Sequence, residues 1–377
     1  MLPAGFTTKA SLAAVLPSSL AALRGEPQLL GLPPVDHVVV VVVDGLGASA
    51  LRARAGHART LAPLLGPSTT IDAGSPTTTA AALATLATGT TPGEHGLVGY
   101  RVRDAANDRY VNQLSGWDDQ LDPASWQRSP TVFERARDAG IATRAIGLPK
   151  YAQSGFTAAI LRGAEYIGGR TIGERFDAAA EALGTRGPAL TYLYVAELDQ
   201  LAHARGWQSP EWTEALEVLD SSVAAFARRL GPRQGVLVTA DHGVLDVPAS
   251  GHVLFDTAPG LVEGVAGVAG EPRMLQLHLH EGGAHAAEQL ADRWREAEGD
   301  RAWVATRREA IEAGWFGPAV HPEVEPRIGD VLVAARKRVA YYDSRDPLAA
   351  GRTMVGQHGS LTPDETRVPL LRLGAFG

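Results

Sequence analysis

From Val38 to Val43 the chain runs through six consecutive valines and then ends abruptly at Asp44-Gly45-Leu46-Gly47. β-Branched side chains on both faces of an extended segment suit a central parallel strand covered by helices on either side. The run is far short of the roughly 18 apolar residues that cross a bilayer, so it reads as a buried strand rather than a membrane span. An α/β fold follows. Open α/β sheets place their chemistry at the carboxyl ends of the strands, and Asp44 stands at such an end.

The remainder of the 377 residues keeps a βαβ rhythm. Strands are expected at Ala142 to Ile146, Leu190 to Val195 and Gly235 to Thr239, alternating with helices around 131–139, 173–183 and 211–230. The Ala-rich stretch from Ala80 to Ala87 has helical composition, and Ser75-Pro76-Thr77-Thr78-Thr79 ahead of it supplies caps, so that helix is expected to begin near Thr79. A short helix is expected within residues 1–25. Beyond 250 the texture changes: strands at Met274 to His280 and Trp303 to Thr306 frame a helix from Ala284 to Ala297. A helix at 307–313 and strands at 330–335 and 338–342 follow. The expected organisation is a discontinuous core, 1–254 and 326–377, with 255–325 as a small inserted α+β cap. Lacking a secretory segment and Cys, the chain is expected in the cytoplasm, with no membrane association.

Composition narrows the chemistry. There is no Cys, so any metal must be held by imidazole and carboxylate. With 35 Lys and Arg against 42 Asp and Glu, the net charge of -7 gives no general attraction to a nucleic-acid backbone. Acidic and imidazole groups nevertheless gather after the expected strands: Asp44, the pair Asp199 and His203, the dipeptide Asp241-His242, and His358. Asp199 and His203 have the i,i+4 spacing that puts both on one side of a helical turn. Asp241-His242 follows its strand directly, and Gly243 permits a sharp exit. Taken singly, each has a plain structural reading as cap, turn or loop residue. Separated by βα units, they can converge on one sheet edge and hold one or two divalent ions. Thr79, at the first turn of its helix, lies where free N–H groups stabilise an anion, and a hydroxyl needs such neighbours before it can attack. No GxxxxGK[ST] segment and no GxGxxG after a strand is present, and Ser75 lacks a GxSxG setting.

The ordered segments Val38 to Gly47, Ser75 to Thr79, Thr88-Gly89 through His95-Gly96, Glu197 to His203, Thr239 to Gly243 and Gly356 to Gly359 resemble the alkaline phosphatase superfamily. Within it, the closer similarity is to type I phosphodiesterases and nucleotide pyrophosphatases, with phosphonoacetate hydrolase as a relative. The resemblance implies a three-layer α/β core with a largely parallel central sheet. It implies two divalent ions, one on Asp199, His203 and His358 and the other on Asp44, Asp241 and His242. Zinc is favoured, while Mn²⁺ or Fe is compatible with the same ligands. The family's nucleophilic threonine precedes a Thr-Gly pair by nine residues, which implies Thr79 as the nucleophile and a covalent phosphothreonine intermediate. His95 corresponds to a structural turn. Many members carry an Asn three residues beyond the nucleophile, where this chain has Ala82, so phosphate would be held by backbone N–H groups or by another side chain such as Asn112.

The function implied is a metal-dependent phosphodiesterase or nucleotide pyrophosphatase acting on a small phosphate ester, a nucleotide among them. Tyr100, Tyr151 and Phe156, with Asn112, are the candidate substrate contacts. Competing readings are a phosphonate hydrolase or phosphomonoesterase on the same scaffold, a mutase-like isomerase, and a non-catalytic, metal-stabilised binding protein.

Overall fold

A computed structural model describes residues 1–5, 10–280, 283–345 and 349–377 of the chain. Its main sheet has seven strands, in the order Thr70–Asp72, Arg367–Gly374, Gln234–Thr239, His37–Val43, Ala189–Val195, Ala142–Gly147 and Glu165–Gly168. The valine strand is central. It pairs in parallel with Ala189–Val195 on one side and Gln234–Thr239 on the other, and every residue from His37 to Val43 is buried. That double burial is what β-branching on both faces requires.

The last five strands run parallel, and Arg367–Gly374 and Thr70–Asp72 close one edge antiparallel. Helices cover the sheet, among them Val15–Arg24, Thr79–Thr88, Val132–Asp138, Ile172–Ala182 and Pro210–Ala227. Phe133, Phe176, Trp212, Leu216 and Phe226 pack from them into the core. The expected elements therefore form within a few residues of their expected limits. Among the described residues, no helix is long and apolar enough to cross a membrane.

A second, six-stranded antiparallel sheet takes the order Ala302–Thr306, Val331–Ala335, Met274–Leu279, Val265–Glu271, Arg101–Asp104 and Arg109–Asn112. Helix Ala284–Glu298 packs on it through Leu290, Ala291 and Trp294. The segment 255–325 supplies only part of this sheet. Strands from 101–112 and 331–335 complete it, because hydrogen bonding between distant strands leaves no local mark in the sequence. As a result, the wall of Val265–Glu271 stands beside the carboxyl ends of the main sheet.

One buried ion pair joins the two sheets near that junction. Arg273 donates to Glu365 through Nε (2.7 Å) and Nη2 (2.8 Å), and to the carbonyls of Lys337 (2.8 Å) and Val339 (2.7 Å). Glu365 also accepts from Ser360 N at 3.0 Å and from the Thr362 hydroxyl at 2.6 Å, which fixes the loop carrying His358. Both side chains are fully buried. Removing the cation strands a carboxylate in low dielectric, so Arg273→Met is expected to cost about 3–5 kcal/mol. Urea denaturation should show this as a lower midpoint, and the double variant Arg273→Met with Glu365→Leu should regain part of it. A single variant as stable as the parent would refute this role for the pair.

Candidate active site

Four strand ends deliver the acidic and imidazole groups to one place. Asp44 follows the valine strand directly, and Asp241-His242 follows the neighbouring strand after Ala240. Asp199 and His203 project from helix Glu197–Arg205, which begins just past Ala189–Val195, while His358 follows the short strand Gly356–Gln357. Gly45 adopts a left-handed φ of 72°, and a Cβ there would come within 2.9 Å of the Asp199 carboxylate. The close approach of the Asp44 turn to Asp199 thus needs glycine.

The resulting cluster is compact. Ligand atoms of Asp44, Asp241 and His242 lie within 4.8 Å of one another, and so do those of Asp199, His242 and His358. His203 Nε2 is 3.2 Å from Asp199 Oδ2 and 3.3 Å from His358 Nε2. The rings of His242 and His358 stack at 3.8 Å. Thr79 opens helix Thr79–Thr88, and its Oγ1 is 3.2 Å from His242 Nε2. Thr77 is turned away: its hydroxyl donates to the Ser360 carbonyl at 2.6 Å.

The donor set fits divalent cations on two observations. First, Asp44 Oδ1, Asp199 Oδ1 and Asp241 Oδ2 are buried without any hydrogen-bond partner, and a buried, unpaired carboxylate oxygen is costly. Second, Nδ1 of each histidine faces a backbone carbonyl: His203 on Gly356 (2.7 Å), His358 on Thr77 (2.8 Å) and His242 on Gly243 (3.2 Å). A carbonyl accepts only from N–H, so each Nδ1 carries the proton. The three Nε2 lone pairs then point into the cluster, which is how metal-bound imidazoles are held. Two Nε2 atoms 3.3 Å apart need a proton or a cation between them.

Electrostatics agree. Burial, then the neighbouring charges of Asp241 and Asp199, push Asp44 well above the usual carboxylate range, and burial likewise raises Asp241. Burial also opposes ionisation of Asp199, but the adjacent His203 overcomes it and holds that carboxyl below its usual range. His203 is raised in turn, as Asp199 outweighs burial. Burial and the facing His242 drive His358 well below an ordinary histidine. Crowded carboxylates of this kind call for compensating positive charge.

Sequence reasoning passed over two supporting groups. Tyr194 donates its hydroxyl to Asp44 Oδ2, and Val42 beside it in register shows why that contact forms at the sheet's end. Glu271 comes from the second sheet, its Oε2 3.6 Å from His358 Nδ1, and burial followed by Glu365 pushes its pKa well up. No local signal marks either residue. His95 has the structural role expected of it: Nδ1 accepts from Leu97 N at 3.1 Å, Nε2 meets the Thr85 hydroxyl at 3.0 Å, and burial brings its pKa down to about 3.

A cavity of about 1120 Å³ opens over the cluster between the two sheets. Tyr100, Asn112, Tyr151 and Phe156 all line it. Asn112 also has a local role, since its Oδ1 accepts from Leu114 N at 2.8 Å and Ser115 N at 3.2 Å. Tyr151 packs edge-on against Tyr194 at 6.3 Å.

Known proteins agree with this architecture. Murine ectonucleotide pyrophosphatase/phosphodiesterase 5 superposes with a TM-score of 0.66 at 16% identity, over 89% of this chain and 88% of that one. Phosphonoacetate hydrolase from Sinorhizobium meliloti 1021, in complex with phosphonoformate, superposes with a TM-score of 0.69 at 19% identity, over 99% of this chain and 94% of that one. No curated protein sequence matches at a significant level. The family of type I phosphodiesterase/nucleotide pyrophosphatase proteins matches residues 38–361. The chain belongs to that family of hydrolytic enzymes, within the alkaline phosphatase superfamily.

Proposed function

We propose that the protein hydrolyses phosphodiesters, with Thr79 as nucleophile and a covalent phosphothreonine intermediate. The observation that carries this reading is the Thr79 hydroxyl at a helix start, 3.2 Å from His242, beside carboxylates that lack partners. Asp44, Asp241 and His242 would hold one divalent ion and Asp199, His203 and His358 a second, with zinc suited to this N/O set. Bound there, such ions would neutralise charge on the phosphoryl oxygens and lower the pKa of a nearby hydroxyl.

The chain's own residues do the rest. Thr79 Oγ gives its proton to solvent and forms the bond to phosphorus as the bond to one ester oxygen breaks; the departing alkoxide takes a proton from solvent, and the second substituent stays on the threonine-bound phosphorus. Water then displaces Thr79 from phosphorus and restores its hydroxyl. Helix Thr79–Thr88 turns its first N–H groups, which lack intrahelical partners, and the positive end of its dipole toward the phosphoryl group. Tyr194 keeps Asp44 in place, and the carbonyls of Gly356, Thr77 and Gly243 fix the histidine tautomers.

Cavity size favours a diester over a small phosphonate. Small-molecule pockets run to roughly 300–1,000 Å³. At about 1120 Å³, this one has room for a substituent on each side of phosphorus. One structural relative, an inactive variant of the murine protein, is in complex with AMP, which supports a nucleotide as one form of substrate. Steady-state rates on bis-p-nitrophenyl phosphate, p-nitrophenyl phosphate and phosphonoacetate, measured with zinc-loaded protein, test the reading. The diester should have the highest kcat/KM. Activity confined to the monoester or to phosphonoacetate would overturn it in favour of the corresponding alternative.

A further inference from the structure

Thr78 stands at the N-cap of helix Thr79–Thr88 but makes no capping hydrogen bond. Elsewhere in the chain, Thr131, Thr171 and Thr306 at the same position accept from the backbone three residues on. The Thr78 side chain is 1% exposed, and its Oγ1 has no hydrogen-bond partner. It lies against the Glu271 carboxyl, whose pKa it helps to hold down against burial, at a geometry short of a full hydrogen bond. Thr78 also lines the cavity beside Thr79. A buried hydroxyl that faces the cavity, poorly satisfied by the one carboxyl beside it, gains a full hydrogen bond when a ligand supplies an acceptor.

The acceptor it lacks is defined by its surroundings. Ala82, one turn into the helix, is buried and has no side-chain donor, and its N–H is taken by the Thr78 carbonyl at 2.9 Å. Resting on the reading of Thr79 as nucleophile, we infer that Thr78 is a further substrate-binding residue: its hydroxyl donates to a non-bridging oxygen of the phosphoryl group held at Thr79. The ligand chemistry it recognises is a tetrahedral oxyanion. Its neighbour Glu271 is acidic, so the hydroxyl serves as a neutral donor that adds no charge of its own to the cluster.

Thr78→Val keeps the β-branched shape and forfeits no capping bond. Calorimetric titration of the zinc-loaded full chain with inorganic phosphate should show affinity lower by about 10-fold, with zinc content and melting temperature unchanged. Turnover of bis-p-nitrophenyl phosphate should fall by about 10- to 100-fold in kcat/KM. Thr78→Ser, which restores the hydroxyl, should recover most of both. Equal phosphate affinity in parent and Thr78→Val would overturn the assignment while leaving Thr79 untouched. Loss of zinc in Thr78→Val, or failure of Thr78→Ser to recover binding, would reduce Thr78 to a structural role. A parent protein that binds phosphate yet hydrolyses no ester would instead defeat the functional reading, and one that binds no phosphate would defeat both.

Discussion

Thr79→Val is expected to lower phosphodiester turnover by about 10⁴-fold or more, the scale of loss when a covalent nucleophile is removed. Valine matches threonine in shape and branching, and among the described residues the Thr79 hydroxyl bonds only to His242, at 3.2 Å. The Thr79 side chain caps no helix end, so the variant should fold and melt as the parent does. Rapid quenching of the parent during turnover, followed by peptide mass analysis, should place a phosphoryl group on Thr79 and on no other residue. A variant with near-parental kcat would exclude Thr79 as nucleophile. So would a phosphoryl group trapped on Thr77 or Thr78. The three adjacent threonines make this a sharp test, because each hydroxyl has a different environment: Thr77 is bonded to Ser360, Thr78 lies against Glu271, and Thr79 faces the cluster.

The parts of the site that could be read in the sequence are those whose signal is local. Six valines running into Asp44 announce a buried strand with a polar end, and Asp199 with His203 announces a helical face. A helix beginning at Thr79 follows from an alanine run after a threonine cap. What could not be read depends on contacts between segments far apart in the chain. Glu271 sits in a strand whose pairing with Met274–Leu279 is local, yet its approach to His358 depends on how the second sheet meets the first. That sheet borrows Arg101–Asp104 and Arg109–Asn112 from a segment without strong alternation, so the limits 255 and 325 fell inside it. Tyr194 is similar: as a strand tyrosine it looks like ordinary packing until the register sets it beside Val42 and Asp44. Asn112, read as a substrate contact, has a carbonyl oxygen committed to its own turn, a short-range use that asparagine commonly serves.

Chelation should lower the melting temperature, and by more at alkaline than at acidic pH. Burial and the neighbouring carboxylates raise Asp44, so the stability associated with its neutral form is complete below the ordinary value of 3.8 and is lost as pH rises through the raised one. His203 is raised by Asp199, so stability from that pair is fully present below 6.5 and is lost as pH climbs through the raised histidine value. Asp199 is depressed, so its share persists above 3.8 and disappears only as pH falls through the lowered value. Asp44 and His203 therefore weaken chelated protein toward alkaline pH, while the depressed His358 acts the other way, its share being lost as pH falls below 6.5. Cation binding runs the other way, since it needs Asp44 ionised and His203 Nε2 unprotonated, and so strengthens as pH rises. Zinc at about 1,000 times its dissociation constant would add roughly 4 kcal/mol. Melting curves with and without chelator should diverge more at about pH 8.5 than at about pH 5.5, on either side of an ordinary histidine. Asp44→Asn should narrow the gap, because it removes one ligand charge together with the group whose ionisation sets the alkaline loss. Curves that coincide at both pH values, or that separate more in acid, would show that these six residues do not act together as a cation site.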